Sequence, residues 1–207
     1  MVENKPRRQR ADGALSRRRI LDAATEIAAE RGYEGTSIGA VSAKCGLPAS
    51  SIYWHFKDKD DLLAAVIERS FGKWLTAWEF PDGDVPAERL IGAARQIAKA
   101  LTDSPDFIRL GLMLGLERRP VEPRARAVFV EARGEAFRIL AAAIEELVPG
   151  LAQVHVDQVT TYAIAGADGL FIAGEIAGDG LDLTTLFELH ARALYDMAVR
   201  LRAEQDR

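Results

Sequence analysis

Residues 46–63 read GLPASSIYWHFKDKDDLL, and they set four large side chains, Tyr53, Trp54, His55 and Phe56, next to one another. Gly46-Leu47-Pro48 is a turn signal and Asp58 a helix-capping residue, so the segment between them holds only a short helix, about 49–56. A helix of two turns has one face to bury. Ile52 and Phe56, four apart, fit that face. The opposite face then carries Ala49, Ser50, Tyr53 and Trp54, with Ser51 and His55 at its flanks. Those side chains must face something other than the helix's own core.

The residues upstream complete a unit. Thr36-Ser37 offers an N-cap for another short helix, ending near Cys45. Its Val41 can pack on Ile52, and its small Ser42 lets the two helices approach. Gly46 supplies a turn position where a positive φ is needed. Pro48 stands near the first helical position, where a missing N–H costs nothing. Two short helices around a glycine turn predict a helix-turn-helix. A first helix is expected over 16–31, capped by Ser16, with Ile20, Ala24, Ile27 and Ala28 inward and Gly32 as its stop.

Asp58, with Asp61 in a capping-box-like position, starts a long helix reaching toward Phe80. Further helices are predicted at about 87–102, 105–118, 123–147, 153–177 and 183–204, separated by proline and glycine breakers. No useful strand alternation appears, so the fold class is all-α. The expected organisation is a flexible basic arm (1–14), a helix-turn-helix DNA-binding domain (15–60) and a helical ligand-binding and dimerisation domain (61–207), reached through the long helix.

The net charge of −4 does not itself point to nucleic acid, but its distribution does. Residues 1–60 hold 11 Lys/Arg against 8 Asp/Glu, a net +3, and residues 61–207 hold 16 against 23, a net −7. The cluster Lys5, Arg7, Arg8, Arg10, Arg17, Arg18 and Arg19 suits an arm on phosphates or in a minor groove. Small hydrogen-bonding side chains at the start of 49–56 suit entry into a major groove about 12 Å wide. Tyr53 offers a ring and a hydroxyl. Lys57, Lys59 and the helix start at Ser37 can reach phosphates.

With those residues in view, TSIGAVSAKCGLPASSIYWHFKDKDDLL resembles the DNA-binding segment of the tetracycline-repressor-like (TetR) transcriptional regulators. The family pattern G-[VL]-x-x-x-[ST]-[IL]-Y-x-[HY]-F-x-x-K-x-x-L is met by Gly46, Leu47, Ser51, Ile52, Tyr53, His55, Phe56, Lys59 and Leu62. The likeness covers about 16–66. It implies that Tyr53 and Lys59 contact phosphates, that Thr36 or Ser37 anchors the preceding helix, and that Ala49, Ser50 and Ser51 approach base edges. Pro48, Trp54, His55, Lys57 and Arg17 complete the expected DNA-binding residues. One departure is Gly39, where family members often carry a long polar side chain.

The remaining two-thirds must dimerise and sense. Ala165, Gly169, Ala173 and Ala177 repeat every four residues, and Gly166, Gly174 and Gly178 form a second small row. Leu186, Leu189, Ala193, Leu194, Met197 and Leu201 make an apolar stripe in the last helix. The resemblance implies that these helices pair with their two-fold mates, so Ala165, Gly169, Ala173, Leu186, Leu194 and Met197 are the expected homodimer interface. A small-molecule effector would be walled by Phe71, Trp74, Trp78, Phe107, Leu110, Met113, Phe129, Phe137 and Tyr162, which favours an apolar or aromatic compound.

A lone cysteine, Cys45, fits a reducing cytoplasm. No signal peptide and no membrane span are predicted. An enzyme would need a reactive constellation. Three scattered histidines, with no HExxH, Cys-x-x-Cys, phosphate loop or nucleophile elbow, supply none, and no metal or cofactor site is expected. A purely structural DNA-organising protein would not need the long acidic helical part.

Overall fold

The computed structural model describes residues 5–76, 80–117 and 120–205, with side chains from residue 12 onward except at 179. Glycine, proline and side-chain caps set most of its helix ends. The order is α1 (Lys5–Gly35), α2 (Ile38–Cys45), α3 (Ala49–His55), α4 (Lys59–Thr76), α5 (Pro86–Asp103), α6 (Asp106–Leu116), α7 (Arg124–Leu147), α8 (Gln153–Ala177) and α9 (Leu183–Gln205), with a 3₁₀ turn at Gly178–Gly180. No strand occurs among the described residues.

One of these helices, α1, differs at its ends from the sequence reading. α1 starts at Lys5, inside the stretch expected as a flexible arm. Ser16 therefore caps nothing: its hydroxyl donates to the Asp12 carbonyl one turn earlier, at 2.8 Å, as a serine inside a helix does. The helical path of α1 breaks at Gly32, whose φ of 66° and ψ of −170° suit a residue without Cβ. A Cβ there would also meet Met113 Cε of α6 at 2.5 Å.

The chain divides into two compact units. One holds residues up to Phe71 and Asp106–Glu131. The other holds Gly72–Pro105 and Ala132–Arg207, so α4 and α7 each pass from one unit into the other. The first unit is built on Ile20, Leu21, Ala24 and Ile27 of α1, Val41, Ile52 and Phe56 around the turn, and Leu62–Ile67 of α4, all buried. Each leucine, isoleucine, valine or phenylalanine among them contributes about 1.5–3 kcal/mol on burial. In the second unit α9 packs on α5 and α8 through Phe187, Ala191, Leu194 and Ala198. The gap left there is about 20 Å³, lined by Leu90, Ile144, Val159 and Leu194 among others, room for one water at most. Ion pairs Arg89–Glu146, Arg95–Glu188 and Arg133–Asp168 join the helices of this unit at its surface.

Candidate nucleic-acid interface

The reading segment is short, so it is fixed by many specific bonds rather than by length. Ser37 caps α2 by accepting from Ala40 N at 3.1 Å. Gly46 ends α2 in the left-handed region, at φ 65°, and its N–H donates to the Ser42 carbonyl. The Ser42 hydroxyl donates to the Leu47 carbonyl at 2.7 Å and so ties the turn. Arg19 Nη2 donates to the Cys45 carbonyl at 2.7 Å, a bond from α1 onto the end of α2. Size alone made Ser42 attractive in the sequence, and its hydroxyl does further work. Arg19, grouped there with the basic arm, is instead part of this frame.

On that frame α3 divides its large side chains cleanly. Ile52 is 0 % and Phe56 3 % exposed, while Tyr53 is 56 % and Trp54 76 % exposed. The question raised by residues 53–56 is thereby answered: Phe56 anchors the helix, Tyr53 and Trp54 face outward, and His55 is half-buried between them, its ring edge-on to Trp54 at 4.5 Å between centroids. Burial pushes the His55 imidazole below its usual range, and the nearby Arg17 guanidinium acts in the same direction. Arg17 is exposed and stands over the Phe56 ring, 5.2 Å from its centroid. Pro48, Ser50 and Lys57 are exposed, and Ala49 and Ser51 are half-exposed. Ser50, Ser51, Trp54 and His55 share an open hollow with Asp12, Gly13 and Ser16 of α1.

Two expected contacts are turned inward. Thr36 is 1 % exposed, and its hydroxyl donates to the Gly32 carbonyl at 2.8 Å, closing the break in α1. Lys59 Nζ donates to the Tyr33 carbonyl at 3.2 Å, lies 4.4 Å from the Tyr33 ring centroid, and pairs with Glu34. In both cases a backbone carbonyl near the end of α1 takes the donor, that of Thr36 expected to anchor α2 and that of Lys59 expected on phosphate. Ser37 remains exposed at the start of α2. A Cβ on Gly39 would meet only open space and the Ser37 hydroxyl at 4.0 Å, so geometry leaves room for the longer side chain that is missing there.

Residues 20–66 match the family described as "Bacterial regulatory proteins, tetR family". The matched stretch is the helix-turn-helix segment, α1 to α4. The HTH-type transcriptional repressor Rv1353c of Mycobacterium tuberculosis is 30 % identical over 99 residues, 48 % of this chain and 38 % of its own length. The match therefore spans well under half of that relative. The fold extends further. The transcriptional regulator FadR from Bacillus subtilis, solved with stearoyl-CoA, superposes with a TM-score of 0.68 at 22 % identity, over 85 % of this chain and 96 % of its own. AibR, solved with isovaleryl coenzyme A and operator DNA, does so with a TM-score of 0.66 at 19 % identity, over 87 % and 98 %.

The expected effector residues fall in several places. Phe71, Phe107 and Phe129 pack in series within the first unit, at centroid distances of 5.2 and 5.5 Å, with Leu110 buried on the same helix as Phe107. Gly111 makes this possible, because a Cβ there would lie within the Phe129 ring. Met113 is half-exposed and covers Gly32. Trp74 and Phe137 are half-buried, and Tyr162 is exposed on α8. Trp78 lies outside the described residues.

The two small-residue rows of α8 differ in what they face. Gly166 receives the His190 ring of α9, whose Nε2 lies 3.0 Å from the Ala163 carbonyl, and Gly174 receives Leu183. That row packs within the chain. Ala165 and Gly169 of the other row are exposed, with nothing within 4 Å of a Cβ on Gly169, and Ala173 is half-exposed. Around them Val154, Tyr162, Ile172 and Ile176 are exposed on α8, and Leu189 and Val199 on α9. Leu186 and Met197 are half-buried. Leu194, expected at a dimer interface, is instead in the intrachain core beside Val159 and Ala198, because α5 covers that side of α9.

Proposed function

We propose that this protein is a transcriptional repressor that binds a palindromic double-stranded DNA operator as a homodimer and is released by a small-molecule effector with a large apolar part. The observation that carries the reading is α3: two buried anchors, Ile52 and Phe56, hold Tyr53 and Trp54 outward among Ser50, Ser51, Lys57 and Arg17. Large rings surrounded by hydroxyls and cations suit a polyanion with stacked bases better than an apolar protein surface. Cytoplasmic localisation goes with this role, and no helix among the described residues is long and apolar enough to cross a membrane.

Dimerisation is supported by the open row of α8. An apolar face of this kind, formed by two packed helices, suits a self-complementary two-fold contact. A two-fold molecule matches a palindrome, with recognition helices a whole number of turns apart, about 34–36 Å for one turn. For the effector, FadR and AibR, of the same fold, were solved with acyl-CoA thioesters. An acyl-CoA is therefore the first class to try, its acyl chain against the aromatic residues Phe71, Phe107 and Phe129. The thioester must bind the DNA-incompetent state more tightly than the DNA-bound one, since equal affinity shifts nothing.

Selection of genomic fragments with the purified protein, followed by titration of stearoyl-CoA and isovaleryl-CoA into the complex, tests the proposal. The expected result is a dyad-symmetric site released by one of the thioesters. Fragments without symmetry would contradict the dimeric reader, and an unresponsive complex would contradict the effector class.

A further inference from the structure

α7 begins without a capping side chain of its own, yet its first N–H groups are all bonded. Arg126 N and Ala127 N donate to the Pro123 carbonyl at 3.1 and 3.3 Å. Arg124 N and Ala125 N donate to the two carboxylate oxygens of Asp60, at 2.6 and 3.1 Å. Asp60 is 64 residues away in sequence and stands in the first turn of α4. The start of a helix carries unpaired donors and a partial positive charge, so a carboxylate is a strong cap for it. The same carboxylate accepts from the Tyr33 hydroxyl at 3.2 Å. Its neighbour Asp61 accepts from Lys57 N, directly after α3, at 3.1 Å, and pairs with the Arg124 guanidinium.

We infer that Asp60 and Asp61 couple the DNA reader to α7. One carboxylate holds the end of α1 (Tyr33), the other the exit of α3 (Lys57), and both hold the start of α7. Asp60 is the principal positioning residue, because it makes two backbone bonds that no rotation of the Arg124 side chain can replace. α7 continues into the second unit, to Leu147. A displacement along α7 must therefore break these bonds or move the reader. Reciprocally, DNA that fixes the reader must steady the first turn of α7. This inference rests on the DNA-reading assignment above.

Hydrogen exchange of the full-length protein, with and without a duplex selected from a random pool, reads the coupling directly. In the wild type, duplex binding is expected to slow exchange of amides 124–128 as well as those of α3. In Asp60→Ala the slowing at α3 should persist and that at 124–128 should vanish. Asp60→Asn, which keeps one acceptor oxygen, should show it at reduced amplitude, and it carries the test if the alanine variant does not fold. Undiminished slowing at 124–128 in the variants overturns the inference, as does its absence in a wild type that binds the duplex. Failure to select any duplex would instead remove the DNA reading, and the inference with it.

Discussion

The turn region of α1–α3 and the α8–α9 pair both expose large apolar side chains, but they hold them by different means. Around α3 the frame is polar and specific: Ser37, Ser42, Arg19 and Thr36 each bond a backbone group. In α8–α9 the frame is shape: His190 and Leu183 sit where Gly166 and Gly174 have no side chain. The exposed surfaces differ in the same sense. Tyr53 and Trp54 stand among hydroxyls and cations, while Ile172, Ile176 and Leu189 stand with alanines and glycines. A short helix presented to a polar partner needs directional bonds to fix its pose. A long helix pair presented to an apolar partner can rely on close packing.

The contrast can be broken most forcefully at the reader's anchor. Ile52→Ala removes a side chain with 0 % exposure and should cost about 2–5 kcal/mol. Thermal unfolding should show the loss, and anisotropy should show DNA binding abolished while self-association survives. The mirror-image change is Ile176→Glu, which places a carboxylate on a face 82 % exposed in the single chain. The helical content should stay unchanged, and sedimentation equilibrium should show association weakened at least about tenfold. If Ile176→Glu leaves association untouched, the open α8 row is not the interface.

Lys57→Ala sharpens the comparison, because Lys57 is the exposed cation of the pair that flanks Asp58, whereas Lys59 is committed to Tyr33. The slope of log affinity against log salt should fall by about one for Lys57→Ala. A smaller effect is expected from pH. Burial and the Arg17 guanidinium lower the His55 pKa, so just below its usual value of 6.5 the unfolded chain binds more protons than the folded one. Its contribution to stability is complete above that value and is lost as pH falls below it. Melting temperatures followed downward from pH 7 should decline less steeply in His55→Gln than in the wild type.

Much of this organisation is legible in the sequence, for identifiable reasons. Gly46, Pro48, Asp58, the Pro120–Pro123 stretch, Pro149-Gly150 and Gly178–Gly180 act locally, so helix order and most boundaries follow from them. The burial of Ile52 and Phe56 follows from a four-residue spacing. What escapes is long-range. Asp60 reads as an ordinary first-turn acid of α4, because its α7 partners are 64 and 65 residues away. Thr36 reads as an anchor of α2 and Lys59 as a phosphate contact, because nothing local marks the carbonyls that take their hydrogen bonds. The two small rows of α8 share one period, and only the position of α9 tells the covered row from the open one. Leu194 escapes for the same reason, since α5 covers it.

The central claim is that the outward face of α3 reads DNA. It is tested most directly by measuring the affinity of the double variant Tyr53→Ala, Trp54→Ala for the selected duplex beside its melting temperature. Both side chains are largely exposed, so their removal should leave stability nearly unchanged. The account predicts affinity lower by about a hundredfold, the sum of two contacts of about 1–3 kcal/mol each. Unchanged affinity in a folded double variant would contradict it.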